Sequence, residues 1–317
     1  MFIEHVILPL VVCTILFVII YAIILKYKKE EEENIDVKPG ILGRKPIKKA
    51  LIVGINKYKP ELNADLQGCV NDAENMRDIL TKIYKFDPEN IRVVIDERAT
   101  RKGILDRLKW LLDGAIPGDE LVFHYSGHGS QVRDRNGDEL NDKLDEILCP
   151  HDLNWDNPLT DDILASMIGK LNKKVNFTMI CDSCHSGTMT RGRIGNPHAE
   201  KPRFIMPPFD IRSRSMGKKL PKHKIGKLSK IKNKKGNQNH VLISGCRDDQ
   251  TSADAFIGNI YQGAFTWALT SVIKSDPNLT WREAHTKAVK KLSGYTQVPQ
   301  LSGDESLLTR KLFGGTD

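Results

Sequence analysis

The sequence predicts an α/β fold, a mostly parallel central sheet with helices on both faces, together with one N-terminal transmembrane helix. Three observations predict it. Ala50-Leu51-Ile52-Val53, Leu121-Val122-Phe123 and Phe177-Thr178-Met179-Ile180 are short unbroken apolar runs, the signature of parallel strands buried on both faces. Segments with apolar residues at helical spacing stand between such runs, as in sheets whose crossovers are helices. Residues 6–25 carry no charge. At about 1.5 Å per residue that stretch crosses a hydrocarbon core of about 30 Å.

The anchor comes first. A cleaved signal peptide would open with basic residues and hold a shorter apolar stretch. Here Glu4 precedes the run, and Lys26, Lys28 and Lys29 follow it. The lysines place the body on the cytoplasmic side of a single-pass membrane protein. A polar tether then leads to residue 47.

The first strand covers residues 50–55. Val70, Ala73, Met76, Ile79, Leu80 and Ile83 predict a helix over 70–83. Residues 91–95 form the second strand. Thr100 caps a helix carrying Ile104, Leu105, Leu108, Leu111 and Leu112 on one face. The third strand spans 121–125. Thr160 caps a further helix with Asp161 and Asp162 in its first turn, where the helix dipole favours acids. Strands over 175–181 and 240–244 and helices over 264–274 and 281–292 complete the series.

Composition narrows the function. The chain has 317 residues, 40% of them hydrophobic, enough for a sizeable core. Its six cysteines form no close-spaced framework, which fits a reducing compartment. Cys181-x-x-Cys184 lacks the second pair that a structural zinc site needs. Residues 189–236 hold 15 Lys or Arg against two acids, a net of +13, so the rest of the chain carries −5 of the total +8. This basic segment shows no apolar periodicity and reads as a linker. It contains no nucleic-acid-binding module, so no nucleic-acid partner is expected.

The chemistry sits in two motifs that each follow an apolar run. Tyr125-Ser126-Gly127-His128-Gly129 ends one strand, and Asp182-Ser183-Cys184-His185-Ser186-Gly187 ends another. In open α/β sheets ligands bind outside the carboxyl ends of the strands. Two such strands side by side bring an imidazole to a thiol, which the imidazole activates as a nucleophile. His128 would take the proton and later return it to a leaving amine. Backbone N–H groups near Cys184 and Gly129 would hold the developing oxyanion.

These two motifs resemble those of the metacaspases, a family of caspase-fold cysteine peptidases. Gly68-Cys69-Val70-Asn71-Asp72, the run from Ser244 to Asp254, and Pro299-Gln300-Leu301-Ser302 resemble further family motifs, in the family's order. The resemblance spans about 48–305 and looks like type I, with a membrane anchor replacing the usual Pro/Gln-rich prodomain. It implies a caspase-like sheet, Cys184 as nucleophile and His128 as base. It implies an acidic pocket for Arg or Lys before the cut, from Asp72 and Asp182 with Cys69 and Ser126 lining it. A desolvated carboxylate pair selects a cation, because an uncharged side chain leaves the acids unpaired.

The resemblance also implies activation by calcium, with Asp145, Asp161 and Asp162 nearest the family's ligand positions; hard oxygen ligands suit that ion. A monomer acting on protein or peptide substrates is expected. An enzyme of this specificity carrying a loop rich in Lys and Arg is expected to cut itself there, with Arg191, Arg193, Arg203, Arg212, Arg214, Lys218 and Lys219 as candidates. The organisation that follows is anchor and tether over 1–47, a large-subunit-like catalytic region over 48–188, a basic linker over 189–238, and a small-subunit-like region over 239–317. The alternative is a catalytically silent adaptor of the same fold that binds partners at a membrane; nothing in binding requires both Cys184 and His128.

Overall fold

The computed structural model describes residues 43–133, 144–184, 200–213, 240–247 and 250–316. The predicted anchor at 6–25 lies outside them. Among the described residues no helix is long and apolar enough to cross a membrane.

Strand β1 (Lys48–Gly54) is followed by helix α1 (Cys69–Asp78), which widens into a π-helical turn over Ile79–Ile83. β2 (Ile91–Ile95) leads to α2 (Arg101–Leu112), where the Thr100 hydroxyl accepts from the Gly103 N–H at 3.0 Å. After β3 (Glu120–Ser126), a small antiparallel sheet is made of β4 (Gly129–Arg133), β5 (Leu144–Leu148) and β6 (Leu159–Thr160). α3 (Asp161–Ile168) starts on the Thr160 cap, and β7 (Asn176–Asp182) follows.

Next come β8 (Lys201–Pro202), the short helix α4 (Phe209–Ser213) and β9 (His240–Ser244). The hairpin β10 (Ala253–Ile257) and β11 (Ile260–Gly263) runs into α5 (Ala264–Ser275). α6 (Trp281–Lys291) opens on a capping box in which the Thr280 hydroxyl and the Glu283 side chain satisfy each other's backbone N–H groups. β12 (Gln300–Ser302) and α7 (Glu305–Leu308) close the series.

The central sheet has the order β12-β9-β7-β3-β1-β2 and is parallel except for β12 against β9. Its strands alternate faces, as the pleat requires. Ala50, Ile52 and Val122 join Met76, Phe265, Leu269, Trp281 and Phe313 in one apolar cluster. Leu51 and Val53 therefore face the other way, on the side where α2 packs against β1, β2 and β3. The parallel register matters most at the strand ends: Gly54 pairs Ser126, and Ser126 pairs Asp182.

The central strands and long helices stand where the apolar runs and caps predict them. The helix predicted over 70–83 is α1 plus the π turn; the apolar period continues through the turn, but the backbone bond to the fifth residue replaces the fourth. The two three-stranded sheets are not in the sequence reading. β6 and β8 are two residues long and β4 holds Ser130, Gln131 and Arg133, so they carry no apolar run of their own. Residues 200–213, predicted as part of the basic linker, are built into the fold: Pro202 pairs Ala253 and Lys201 pairs Asp254 of β10.

Candidate active site

The register of β3 and β7 decides the site. Because Ser126 pairs Asp182, His128 and Cys184 each lie two residues past the carboxyl end of neighbouring strands. Adjacent strands run about 4.8 Å apart, so the two residues share one corner of the sheet edge. Both are buried.

Two phenols hold His128. The Tyr58 hydroxyl accepts from the His128 N–H at 2.8 Å, and the Tyr125 hydroxyl donates to the His128 carbonyl at 2.7 Å. The Tyr58 ring lies 4.9 Å from the imidazole. Glycine is required between the two, because a Cβ at Gly127 would stand 2.8 Å from one hydroxyl and 2.9 Å from the other. The imidazole Nε2 is 2.7 Å from the Ala64 carbonyl, which can only accept, so Nε2 carries the proton in the neutral ring. Nδ1 is then the basic atom; it is buried and receives no hydrogen bond among the described residues. Burial pushes the His128 pKa down to about 4, with the Ala64 carbonyl opposing it, so the ring is neutral at physiological pH. The Cys184 thiol lies against the Ser252 backbone, accepting from its N–H and donating to its carbonyl.

One carbonyl oxygen receives two backbone N–H groups at this corner. The N–H groups of Gly129 and Cys184 converge on the carbonyl of Arg203, at 3.0 and 3.2 Å. The Arg203 N–H donates to the Ser252 carbonyl at 3.0 Å.

The side chain of Arg203 is wholly buried in an acidic recess. Its Nη2 lies 2.8 Å from Asp72 Oδ2 and 3.0 Å from Asp254 Oδ1, and its Nη1 lies 3.1 Å from Asp182 Oδ2. Nη1 also donates to the Ser126 hydroxyl at 2.8 Å and to the Asp182 carbonyl at 3.2 Å. Each acid is fixed by other donors. Asp72 accepts from Gly263 N–H at 2.9 Å and from the Ser126 hydroxyl at 2.7 Å. Asp182 accepts from the Thr266 N–H and hydroxyl at 2.9 and 2.7 Å, and from the Ser252 hydroxyl. Asp254 accepts from Gln67 and Gly68 N–H groups at 2.8 and 3.0 Å. Burial pushes the Asp72 pKa up to about 6; Arg203 pulls it down and Asp182 pushes it further up.

Asp72, Asp182 and Ser126 thus gather around one guanidinium; Cys69 is buried at the start of α1, and burial pushes its thiol well above the ordinary range, so it stays uncharged. The sequence reading missed Asp254 as a third acid, although its motif was singled out. It also missed Tyr58, the Ser252 backbone and Gln297. The buried Gln297 accepts from Ala253 N–H at 2.9 Å and donates to the Gly245 carbonyl at 2.9 Å, fixing the start of β10. None of these carries a local signal, since each is brought in by a remote loop or strand. Of the predicted calcium ligands, Asp145 lies on β5 and Asp161 and Asp162 open α3; all three are buried. Among the described residues no group of three or more His, Cys, Asp or Glu is placed to hold a metal ion. The three carboxylates therefore do not make a complete ion site among themselves. Residues 134–143 and the remaining self-cleavage candidates from Arg191 to Lys219, other than Arg203 and Arg212, lie outside the described residues.

A mostly parallel sheet with a buried cysteine and a neutral imidazole at neighbouring carboxyl ends is the plan of the caspase-like cysteine peptidases. The comparisons narrow the class. The metacaspase peptidase C14 domain matches residues 48–191. Metacaspase-1 of Pyricularia oryzae is 32% identical over 295 residues, covering 84% of this chain and 74% of that protein. Metacaspase-1B of Neurospora crassa is 33% identical over 294 residues, covering 84% and 68%. The crystal structure of protein GSU0716 from Geobacter sulfurreducens superposes with a TM-score of 0.62 at 28% identity, covering 86% of this chain and 100% of that one. The chain belongs to the metacaspase family and is a cysteine-type endopeptidase acting on protein substrates.

The pocket has no room at its floor. A Cβ at Gly263 would lie 2.1 Å from Asp182 Oδ2 and 2.5 Å from Arg203 Nη1. Gly263→Ala is expected to disrupt the buried contact between Arg203 and Asp182 and to destabilise the fold by about 3 kcal/mol or more, the scale set by breaking a buried charge pair, read as a lower midpoint of urea unfolding. An unchanged midpoint would show that the recess relaxes around the added methyl group.

Proposed function

We propose that this metacaspase cleaves peptide bonds after Arg or Lys, with Cys184 as nucleophile and His128 as base. One observation carries the reading. Arg203 lies as a substrate residue would, its guanidinium among three carboxylates and its carbonyl between the Gly129 and Cys184 N–H groups. Nδ1 of His128 takes the thiol proton, and the sulfur attacks the carbonyl carbon. The carbonyl oxygen becomes an oxyanion held by the two N–H groups. When the C–N bond breaks, His128 returns the proton to the departing amine, leaving an acyl-enzyme on Cys184. Water, deprotonated by the same imidazole, then frees the acid and restores the thiol. Lys fits by its charge, though a single ammonium cannot span the acids as the guanidinium fork does.

The same placement supports self-processing, at the bond between Arg203 and Phe204. Calcium activation is a separate part of the proposal, resting on the resemblance and on the hard oxygen donors of Asp145, Asp161 and Asp162, which would need further ligands. Anchoring rests on the uncharged run at 6–25 and the lysines after it, which put the catalytic body on the cytoplasmic side. A monomer is proposed on the family resemblance alone.

The test is turnover of Arg-, Lys- and Asp-terminated fluorogenic peptides by the full-length chain, in calcium and in chelator. Cleavage after Arg and Lys is expected, abolished in Cys184→Ala, with a new N-terminus at Phe204 on the processed chain. Cleavage after Asp would contradict the pocket, and equal self-processing in calcium and chelator would discard the metal. The anchor predicts that the full-length protein stays in the membrane fraction after alkaline carbonate washing; release into the supernatant would remove it.

The pH dependence has a definite sign. The Asp72 pKa of about 6 is raised above its ordinary value, so the carboxylate is lost as pH falls through 6, and with it one charge that holds the substrate cation. His128, at about 4, remains a base through that range. Between pH 7 and pH 5 the ionised fraction of a group with this pKa falls about tenfold, and kcat for arginyl peptides, which reports the occupied recess, is expected to fall with it. In Asp72→Asn this acid limb should vanish. A limb of the same midpoint surviving in that variant would assign it to another group.

A further inference from the structure

If Arg203 marks the residue before the cut, Phe204 and Ile205 lie on the leaving side of the bond. Their backbone is held as closely as that of Lys201 and Pro202. Phe204 bridges Gly129 in parallel register. The Ile205 N–H donates to the Gly129 carbonyl at 3.1 Å, while the Gly129 N–H reaches back to the Arg203 carbonyl at 3.0 Å. The Ser130 hydroxyl donates to the Ile205 carbonyl at 2.6 Å. Ser130 is 0% exposed and Ile205 is 8% exposed. The segment therefore changes partner at Arg203: before the bond it pairs with β10, and after it with β4.

Resting on the proposed Arg-directed reading, we propose that the edge of β4 is a binding subsite for the leaving side of substrates, with Ser130 as a specificity-determining residue. The subsite takes an extended peptide. It reads the second residue past the cut through both backbone groups, the N–H on the Gly129 carbonyl and the carbonyl on the Ser130 hydroxyl. Proline is disfavoured at that second position because it has no N–H to give. An apolar side chain is favoured there, since that of Ile205 is buried. Ser130 lies one residue beyond the Tyr-Ser-Gly-His-Gly motif, so the strand that leaves the base also grips the leaving peptide.

The test compares three substrates with the full-length chain after self-processing in calcium: an arginyl coumarin amide with nothing past the cut but the dye, an internally quenched peptide containing Lys-Pro-Arg-Phe-Ile, and the same peptide with proline in place of Ile. The wild-type enzyme is expected to cut the proline peptide with a kcat/KM about tenfold below that of the Ile peptide, the scale of one or two lost hydrogen bonds. In Ser130→Ala the ratio of kcat/KM for the Ile peptide over the coumarin amide is expected to fall about fivefold, mainly through KM, and Ser130→Thr is expected to restore it. Equal cutting of the proline and Ile peptides by wild type would overturn the subsite without recourse to any variant. An unchanged ratio in Ser130→Ala would overturn the role of its hydroxyl. Turnover of none of the three substrates would instead overturn the Arg-directed reading on which the subsite rests.

Discussion

The contact on which the site depends is the one between the Arg203 guanidinium and the carboxylates of Asp72, Asp182 and Asp254, all of them buried. Three acids against one cation is a poor arrangement for stability alone. Desolvating such charges costs several kcal/mol per ion, and their attraction returns it only with good geometry. The chain meets that requirement with backbone N–H groups of Gln67, Gly68, Gly263 and Thr266 and the hydroxyls of Ser126, Ser252 and Thr266, which fix the acids. Burial still pushes the Asp72 pKa up to about 6, against the pull of Arg203. A recess held at such expense is better suited to selecting an occupant than to holding the fold together. A neutral side chain would leave the acids unpaired in a place that water does not reach.

That recess is joined to the proposed chemistry through the backbone of a single residue. The side chain of Arg203 enters the acids, its N–H meets the Ser252 carbonyl and its carbonyl meets the N–H groups of Gly129 and Cys184. Gly129 follows the proposed base in sequence and also pairs with Phe204, so the groups that would stabilise charge, select the side chain and grip the leaving peptide belong to adjacent residues. Such coupling through short rigid segments is what keeps a reacting carbonyl in place without long mobile side chains. The Tyr58 and Tyr125 hydroxyls serve the same end, holding the His128 backbone from two directions.

Much of this was legible beforehand. The buried strands and capped helices follow from apolar runs and from Thr100 and Thr160, whose hydroxyls accept the expected N–H groups. Cys184, His128, Asp72, Asp182, Ser126 and Cys69 were picked out from motifs at strand ends and around the start of α1, and the structure gathers them at one edge. The role of Asp254 is not legible in its motif, because nothing local says that β10 packs against Gln67 and Gly68 at the start of α1. The small sheets escaped notice for a similar reason. Strands of two to five residues with polar members acquire their order only from partners far away in the chain, such as β8 from β10. The calcium ligands Asp145, Asp161 and Asp162 follow from the family resemblance alone, and among the described residues no group of three or more acidic, His or Cys side chains is placed to hold a metal ion.

By itself the sequence determined the periodicities, the caps, the two strand-end motifs and the family they point to, since these depend on residues within a few positions of one another. Only the tertiary structure decided that a residue from the basic segment enters the acidic recess, that a third carboxylate waits there, and that β4 lies along the far side of the same backbone. Those are meetings between residues up to 191 positions apart, as for Asp72 and Gly263. They are fixed by strand register and close packing, which no local pattern encodes.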